Sequence, residues 1–164
     1  MNLVWQELLS GLPDAEGLAS LTVRLIIAIL LGAVVGAQRE RQGKPAGLRT
    51  HMLVSLGAAV FVIAPLEFGM DSDGVSRVIQ GLVTGIGFLG AGAILKLQER
   101  REVEGLTTAA GIWLTAAVGV AVGLGRFGLA VGGIFLAWLI LSWMNRVENW
   151  INRAQLRSDR DSNN

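Results

Sequence analysis

Long apolar runs alternate with short charged turns along most of the chain. Each run is close to the length needed to cross a bilayer as a helix, which rises about 1.5 Å per residue. The pattern predicts an all-α polytopic membrane protein with five transmembrane helices. Their predicted bounds are 18–37, 51–66, 78–95, 106–124 and 129–144.

The third predicted span is uncharged and unusually rich in glycine. Because each glycine costs about 1 kcal/mol of helix propensity relative to alanine, such a helix makes sense where other helices come close. We therefore expect it to be the buried centre of the bundle. Gln80 and Thr84, one turn apart, either line a polar path or make interhelical hydrogen bonds. The glycines expected to pack helices are Gly81, Gly85, Gly87, Gly90 and Gly92.

The basic residues lie mainly in alternate turns. One set consists of Arg39, Arg41, Lys44 and Arg49, then Lys96, Arg100 and Arg101, then Arg146, Arg153, Arg157 and Arg160; the other turns hold only Arg77 and Arg126. By the positive-inside rule, the N-terminus is outside and the C-terminus is cytoplasmic. The predicted organisation is an extracytoplasmic segment 1–17, a five-helix domain 18–144 and a cytoplasmic amphipathic tail 145–164.

Composition narrows the functional classes. The 164 residues include 22 glycines, no cysteine and a single histidine, and the mean hydropathy is +0.53. Thiol chemistry and cysteine metal sites are excluded, and there is no nucleophile motif or carboxylate pair within a span. We expect neither an enzyme, nor a bound cofactor, nor a nucleic-acid partner.

An internal repeat relates the first two spans to the third and fourth. A shift of 58 positions carries Gly47 onto Gly105, Thr50 onto Thr108, and Leu31-Gly32-Ala33 onto Leu89-Gly90-Ala91. Both hairpins turn on the same predicted side, so they are parallel repeats about an axis along the membrane normal. Chance alignment of small residues is the alternative.

Each repeat has a Gly-Leu-x-Thr motif at the start of its second helix. The glycine permits a sharp turn, and Thr50 or Thr108 is expected to cap the first free amides. Two helix N-termini would meet at the cytoplasmic surface and attract an anion: a carboxylate, a lipid or a protein partner. Simple caps and positive-inside anchors are the competing interpretation. The neighbouring candidates are Arg39, Arg49, Thr107, Glu40 and Glu104.

Arg24 is a charge inside the first span. A buried arginine usually marks an ion pair or a pathway, although one near a helix end can also extend to the surface.

Four motifs occur in order: G-x-x-x-G-x-x-R-E, A-G-L-R-T-H, Q-G-x-x-T-G-I-G-F-L-G-A-G-A-I and V-x-G-L-T-T-A-A-G-I-W. In these the sequence resembles the MgtC/SapB family of bacterial inner-membrane proteins, over roughly residues 24–125. The resemblance implies a five-helix membrane domain, a role in growth at low magnesium and, in some pathogens, in virulence. It also implies modulation of the F-type ATP synthase. Longer family members continue into a soluble ACT-like domain, so a short form is expected.

Two functions follow as hypotheses. One is modulation of another membrane complex; the other is transport of Mg²⁺ or another ion by the chain itself. Mg²⁺ usually takes one or two carboxylates, and no Asp or Glu lies within a span, which favours the modulator. Mg²⁺ is expected either as a ligand or as the transported ion. We also expect a homodimer and a membrane-protein partner within the bilayer.

Overall fold

The computed structural model describes residues 3–5, 13–97 and 102–143. Five long helices account for most of them. They are α1, Ala15–Arg41; α2, Leu48–Glu67; α3, Ser72–Gly92; α4, Leu106–Gly123; and α5, Phe127–Trp143. The predicted extracytoplasmic segment 1–17 is described at residues 3–5, which are helical and exposed, and from residue 13 onward. The predicted tail 145–164 lies outside the described residues.

The protein is an all-α polytopic membrane protein. The first four helices are long and apolar enough to cross a membrane, and α5 is a shorter apolar helix. The predicted orientation, with the N-terminus outside, stays a prediction.

Aspartates set the start of two helices. Asp14 Oδ1 accepts from the Gly17 amide at 2.9 Å at the start of α1, and Asp71 Oδ1 accepts from the Gly74 amide at 2.8 Å at the start of α3. Each carboxylate satisfies a free amide and carries negative charge at the positive end of the helix dipole. The third helix consequently begins six residues before its predicted start.

α4, not α3, is the buried centre of the chain. In the most apolar window of α4, 56% of the residues are buried, against 17% in the corresponding window of α3. α2 and α4 pack against each other, α1 and α3 flank them, and α5 adds Ala130 and Ile134 to the core. The prediction of a buried third helix is wrong for the single chain. A high glycine content allows another helix to pack closely against α3, but it does not show that any helix does so.

Close packing is made by glycines in other helices. A Cβ on Gly119 would collide with the Ser55 carbonyl oxygen, and one on Gly123 would lie 2.9 Å from Val62 Cβ. By contrast, Gly81, Gly85, Gly87 and Gly92 have open space where a Cβ would be, so these predicted packing contacts are not made within the chain.

The two hairpins share contacts at equivalent positions. Gly32 packs on His51 in the first hairpin, and Gly90 packs on Ala109 in the second, each residue displaced by the same 58 positions. The first contact is much tighter: a Cβ on Gly32 would meet the His51 carbonyl oxygen at 2.6 Å, whereas one on Gly90 would lie 3.7 Å from Ala109 Cβ. The repeat is therefore visible in the packing as well as in the sequence.

A two-stranded ribbon follows α3, in place of the predicted helical end of the third span. Strands β1, Leu95–Leu97, and β2, Glu102–Glu104, pair antiparallel with Leu95 opposite Glu104. The ribbon delivers the chain to Gly105, the residue before α4. It adds six strand residues to a fold that is otherwise helical in the described ranges.

Candidate functional site

Among the described residues, five polar side chains are buried inside the bundle, all in the half that holds the α1–α2 turn and the start of α4. They come from α1, α2 and α4 and are Arg39, His51, Ser55, Thr108 and Thr115. Buried polar groups are costly unless they find hydrogen-bond partners, so their grouping on three packed helices marks this part of the structure for function.

Arg39 lies in the last turn of α1 and is only 2% exposed. Its Nη2 donates to Thr108 Oγ1 on α4 at 2.7 Å. Gly36 makes this reach possible, because a Cβ there would lie 2.7 Å from Leu48 Cα, so α1 can approach the start of α2 only without one. Nε of Arg39 has no hydrogen-bond partner among the described residues. A buried cation with a free donor is a natural contact for an anion.

His51 joins α2 to α4 deeper in the bundle. Its Nδ1 lies 2.8 Å from Thr115 Oγ1, and that hydroxyl donates to the Gly111 carbonyl oxygen, also at 2.8 Å. Since the threonine hydroxyl has one proton, already donated to Gly111, Nδ1 of His51 must be the donor in this pair. Nε2 of His51 and Oγ of Ser55 have no hydrogen-bond partner among the described residues.

A cavity of about 350 Å³ opens beside Arg39 where the α1–α2 turn meets the start of α4. Its residues come from that turn, from the end of α3 and from the β2–α4 connection. They are Arg39, Lys44, Pro45, Ala93, Glu104, Gly105, Leu106, Thr107 and Thr108. Four of the residues predicted to lie around the two helix N-termini line this one cavity: Arg39, Glu104, Thr107 and Thr108.

The N-terminus of α4 forms one wall of this cavity. Gly105 has φ of +93°, a left-handed conformation, and a Cβ there would collide with the Ala93 carbonyl oxygen. The N-cap residue of α4 is Gly105 itself, so it has no side chain to cap the helix. The amides of Leu106, Thr107 and Thr108 belong to the first turn, where a helix has no intrahelical acceptors.

The equivalent end of α2 is capped by the chain itself. Glu40 Oε2 accepts from the Leu48 amide at 2.8 Å, while the N-cap residue Gly47 contributes no side-chain hydrogen bond. The expected threonine caps are therefore wrong at both helix starts: Glu40 caps α2, and Thr108 instead accepts from Arg39.

Arg24 has a structural role at the opposite end of the bundle. Its Nη1 donates to the Gly123 carbonyl oxygen in the last turn of α4 at 3.1 Å. A guanidinium there satisfies a free carbonyl and complements the negative end of the helix dipole.

The remaining sequence candidates lie apart from the buried polar group. Gln80 and Thr84 are exposed on α3, and Thr84 Oγ1 donates to the Gln80 carbonyl oxygen of its own helix at 3.0 Å. Arg49 is exposed, and Thr50 is half-buried beside it.

Sequence reasoning missed His51, Ser55 and Thr115 as members of the site. Their signal was spacing: His51 and Ser55 are four residues apart on α2, and Thr108 and Thr115 are seven apart on α4, so each pair shares a helix face. Among the described residues, no three His, Cys, Asp or Glu side chains come together to hold a metal ion.

Comparison with known proteins places these features in a family. The sequence profile of the MgtC family matches residues 25–150. The chain is 43% identical to Protein SrpB of Synechococcus elongatus over 87% of its own length and 85% of that protein. It is 40% identical to the putative magnesium transporter YhiD of Escherichia coli K12, over 75% of this chain and 60% of YhiD.

Protein MgtC of Salmonella typhimurium is 48% identical over 64% of this chain, which spans 44% of the Salmonella protein. No solved structure matches. The profile covers most of the chain, including every residue of the buried polar group and of the cavity. The chain belongs to the MgtC family.

Proposed function

We propose that this protein acts in the bacterial inner membrane in magnesium homeostasis, by modulating another membrane complex such as the F-type ATP synthase or an ion pump. Family membership supports the link to magnesium, since one relative is named a putative magnesium transporter. The choice of modulation over transport rests on how polar groups are distributed inside the described bundle.

The buried polar residues occupy one half of the bundle only. One turn beyond Ser55 on α2, the core becomes apolar at Ala59 and Val62, and Val122 of α4 faces the same region. These side chains are fully buried, so the described core offers no polar lining between Ser55 and the far end of the bundle, where Arg24 donates to the Gly123 carbonyl oxygen. An ion crossing the described part of the chain would lose its hydration without replacement ligands, which is costly for Mg²⁺ in particular.

A docking surface for another transmembrane helix lies between α2 and α3. We define it as the α2–α3 groove, of about 700 Å³, lined by Leu53, Val54, Gly57, Ala58, Phe61, Val78, Gly81, Leu82, Gly85, Ile86, Leu89 and Ala116. The open positions at Gly81 and Gly85 are four residues apart, the spacing at which small residues let helix backbones approach closely in membranes. A helix of the modulated complex is the occupant that we propose.

The deciding experiment uses two matched glycines of α3. Gly85 lines the groove and Gly87 does not, yet a Cβ would meet nothing within 4 Å at either position. Gly85→Leu should fill the groove and Gly87→Leu should not. Inverted membrane vesicles carrying ATP synthase are supplied with the purified protein, and ATP-driven proton pumping is followed with a pH-sensitive dye.

We expect the parent protein and Gly87→Leu to change the pumping rate and Gly85→Leu to have lost that effect. In a strain that lacks its own family member, the same ranking should hold for growth in low-magnesium medium. Equal behaviour of the two variants in both assays would contradict docking in the groove.

Transport by the chain itself is the second candidate, favoured by the name of the E. coli relative, a putative magnesium transporter. Liposomes containing the purified protein and an internal Mg²⁺ dye test it directly. Magnesium uptake above that of empty liposomes, reduced by Ser55→Val, would overturn the modulator in favour of a pathway through the buried polar group.

A second copy of the chain is the other occupant to be tested, because the sequence predicts a homodimer. Disulfide crosslinking of the Gly85→Cys variant tests this, and it reports on position 85 alone because the chain has no native cysteine. A crosslinked dimer at this position, absent for Gly87→Cys, would assign the groove to self-association.

A further inference from the structure

We propose that the cavity beside Arg39 binds a phosphoryl group, carried by a membrane lipid or by a small phosphorylated solute. The cavity shares no lining residue with the α2–α3 groove, so this inference stands independently of the modulator proposal. It is carried by two separate observations, one on α4 and one on α1.

The first observation is the difference between the two repeated helix starts. At α2, the first-turn amide of Leu48 binds the Glu40 carboxylate. At α4, the N-cap residue is again a glycine, Gly105, and no side-chain cap hydrogen bond is made among the described residues, which do not include residue 98, the position equivalent to Glu40. The first turn of α4 lines the cavity. In one repeat, the start of α2 binds a carboxylate of the chain itself. In the other repeat, the equivalent start of α4 opens onto the cavity. Helix N-termini bind phosphate through these amides and the helix dipole.

The second observation is the unused donor of a buried arginine. Arg39 is 2% exposed, lines the cavity and uses Nη2 on Thr108, while Nε has no hydrogen-bond partner among the described residues. An unpaired polar atom on a buried cation is costly. Because Arg39 lines the cavity, a negatively charged ligand there would lie beside its guanidinium group.

Charge and donor number favour a phosphoryl group over a carboxylate. Arg39 and Lys44 bring two positive charges, the α4 N-terminus adds about half a charge, and Glu104 subtracts one. A phosphate monoester carries between one and two negative charges near pH 7 and has three strong acceptor oxygens. These oxygens suit donors that converge from a helix end, a guanidinium and an ammonium group.

The size of the cavity fits a small head group. Its volume of about 350 Å³ equals that of roughly twelve water molecules at about 30 Å³ each. The predicted orientation places this end of the bundle at the cytoplasmic leaflet, where anionic lipids are concentrated. A lipid phosphate and a dissolved phosphate would therefore make the same contacts in the cavity. Separate binding measurements with each of them show which is the ligand.

The test measures binding of both sources to the full-length purified protein. Inorganic phosphate is titrated in detergent with ionic strength held constant by chloride, and binding is followed by ³¹P line broadening. Phosphatidic acid is offered in mixed micelles, with phosphatidylcholine as the competitor, and retained lipid is counted by native mass spectrometry. Binding of inorganic phosphate identifies a soluble ligand, and selective retention of phosphatidic acid alone identifies a lipid.

Three exposed positions make the test specific without disturbing the core. Lys44→Ala should weaken binding about tenfold, because it removes one charged donor. Glu104→Gln should strengthen it, because it removes a repulsive charge. Arg41→Ala is the matched control: Arg41 is a nearby exposed cation that does not line the cavity, so binding should not change.

Arg39→Gln tests the buried donor, with thermal stability recorded for each preparation so that a folding defect is recognised. A folded Arg39→Gln protein should have lost binding. The proposal is overturned if neither phosphate nor phosphatidic acid binds, or if Arg41→Ala weakens binding as much as Lys44→Ala. Weaker binding by Glu104→Gln would also overturn it, because the cavity would then be using its carboxylate.

Discussion

Arg39 Nη2 donates a hydrogen bond of 2.7 Å to Oγ1 of Thr108, 69 residues further along the chain. This hydrogen bond connects the end of the first helix to the start of the fourth. Both side chains are buried, at 2% and 1% exposure. They come from different repeats, so the contact joins the two hairpins at the cavity and is not duplicated within either one.

Removing the acceptor should destabilise the protein. Thr108→Ala leaves a buried guanidinium nitrogen without its partner, and we expect the free energy of unfolding to fall by about 1–3 kcal/mol. Denaturant titration in detergent micelles measures the change. Thr107→Ala, at an exposed neighbouring position, should alter it by no more than about 0.5 kcal/mol. Equal effects of the two substitutions would show that the bond contributes nothing.

The stability cost of replacing a glycine should depend on whether the glycine contacts the backbone of another helix. It should not depend on how many other glycines lie in the same helix. Gly119→Ala places a methyl group against the Ser55 carbonyl oxygen and should lower the melting temperature, because backbone cannot move aside. Gly87→Ala enters open space and should be neutral or stabilising by up to about 1 kcal/mol, the gain in helix propensity. Thermal melts of both variants decide this. The reverse order would restore α3 as the packed centre.

The Glu40 carboxylate should matter for the start of α2. Glu40→Ala removes the acceptor of the Leu48 amide and should cost about 1 kcal/mol of unfolding free energy, the usual value of a cap. Glu40→Gln keeps an oxygen acceptor and should cost less. Hydrogen exchange at the Leu48 amide provides a local readout, and exchange as slow in Glu40→Ala as in the parent would exclude this role.

The predicted orientation can be tested by labelling, because the chain has no cysteine. Cysteines at Arg41 and Glu104, both exposed, should react with a membrane-impermeant reagent only in inverted vesicles. A cysteine at Phe68, which is 89% exposed, should react in intact spheroplasts. Reaction of positions 41 and 104 from opposite sides would contradict the paired hairpins.

The helices could be predicted from the sequence because their positions depend on local hydropathy and on the residues of the turns. All five predicted spans correspond to observed helices, and their bounds differ by at most a few residues, except at Asp71, where a cap starts α3 early. The family could also be identified from the sequence, since four of its motifs occur in order along the first four helices. The repeat was found because Gly47 and Gly105 both stand at helix starts.

Packing partners were less accessible. Gly85 and Gly119 are equally small, and only the three-dimensional arrangement shows that Gly119 meets a backbone while Gly85 meets nothing. The same holds for Arg39: its residue type indicated function, but its choice of Thr108 over a carboxylate depends on how α1 and α4 are placed. The burial of His51 could not be predicted, because a lone histidine near a helix start gives no sign of how deeply it lies in the bundle.

The two hairpins of the repeat are packed to different tolerances. Where Gly32 meets the His51 backbone, any larger residue on α1 would strike the main chain of α2. Where Gly90 meets Ala109, an added Cβ would make ordinary van der Waals contact, so this position on α3 has room for alanine. One copy of the duplicated unit therefore allows no sequence drift at its helix crossing, whereas the other copy does.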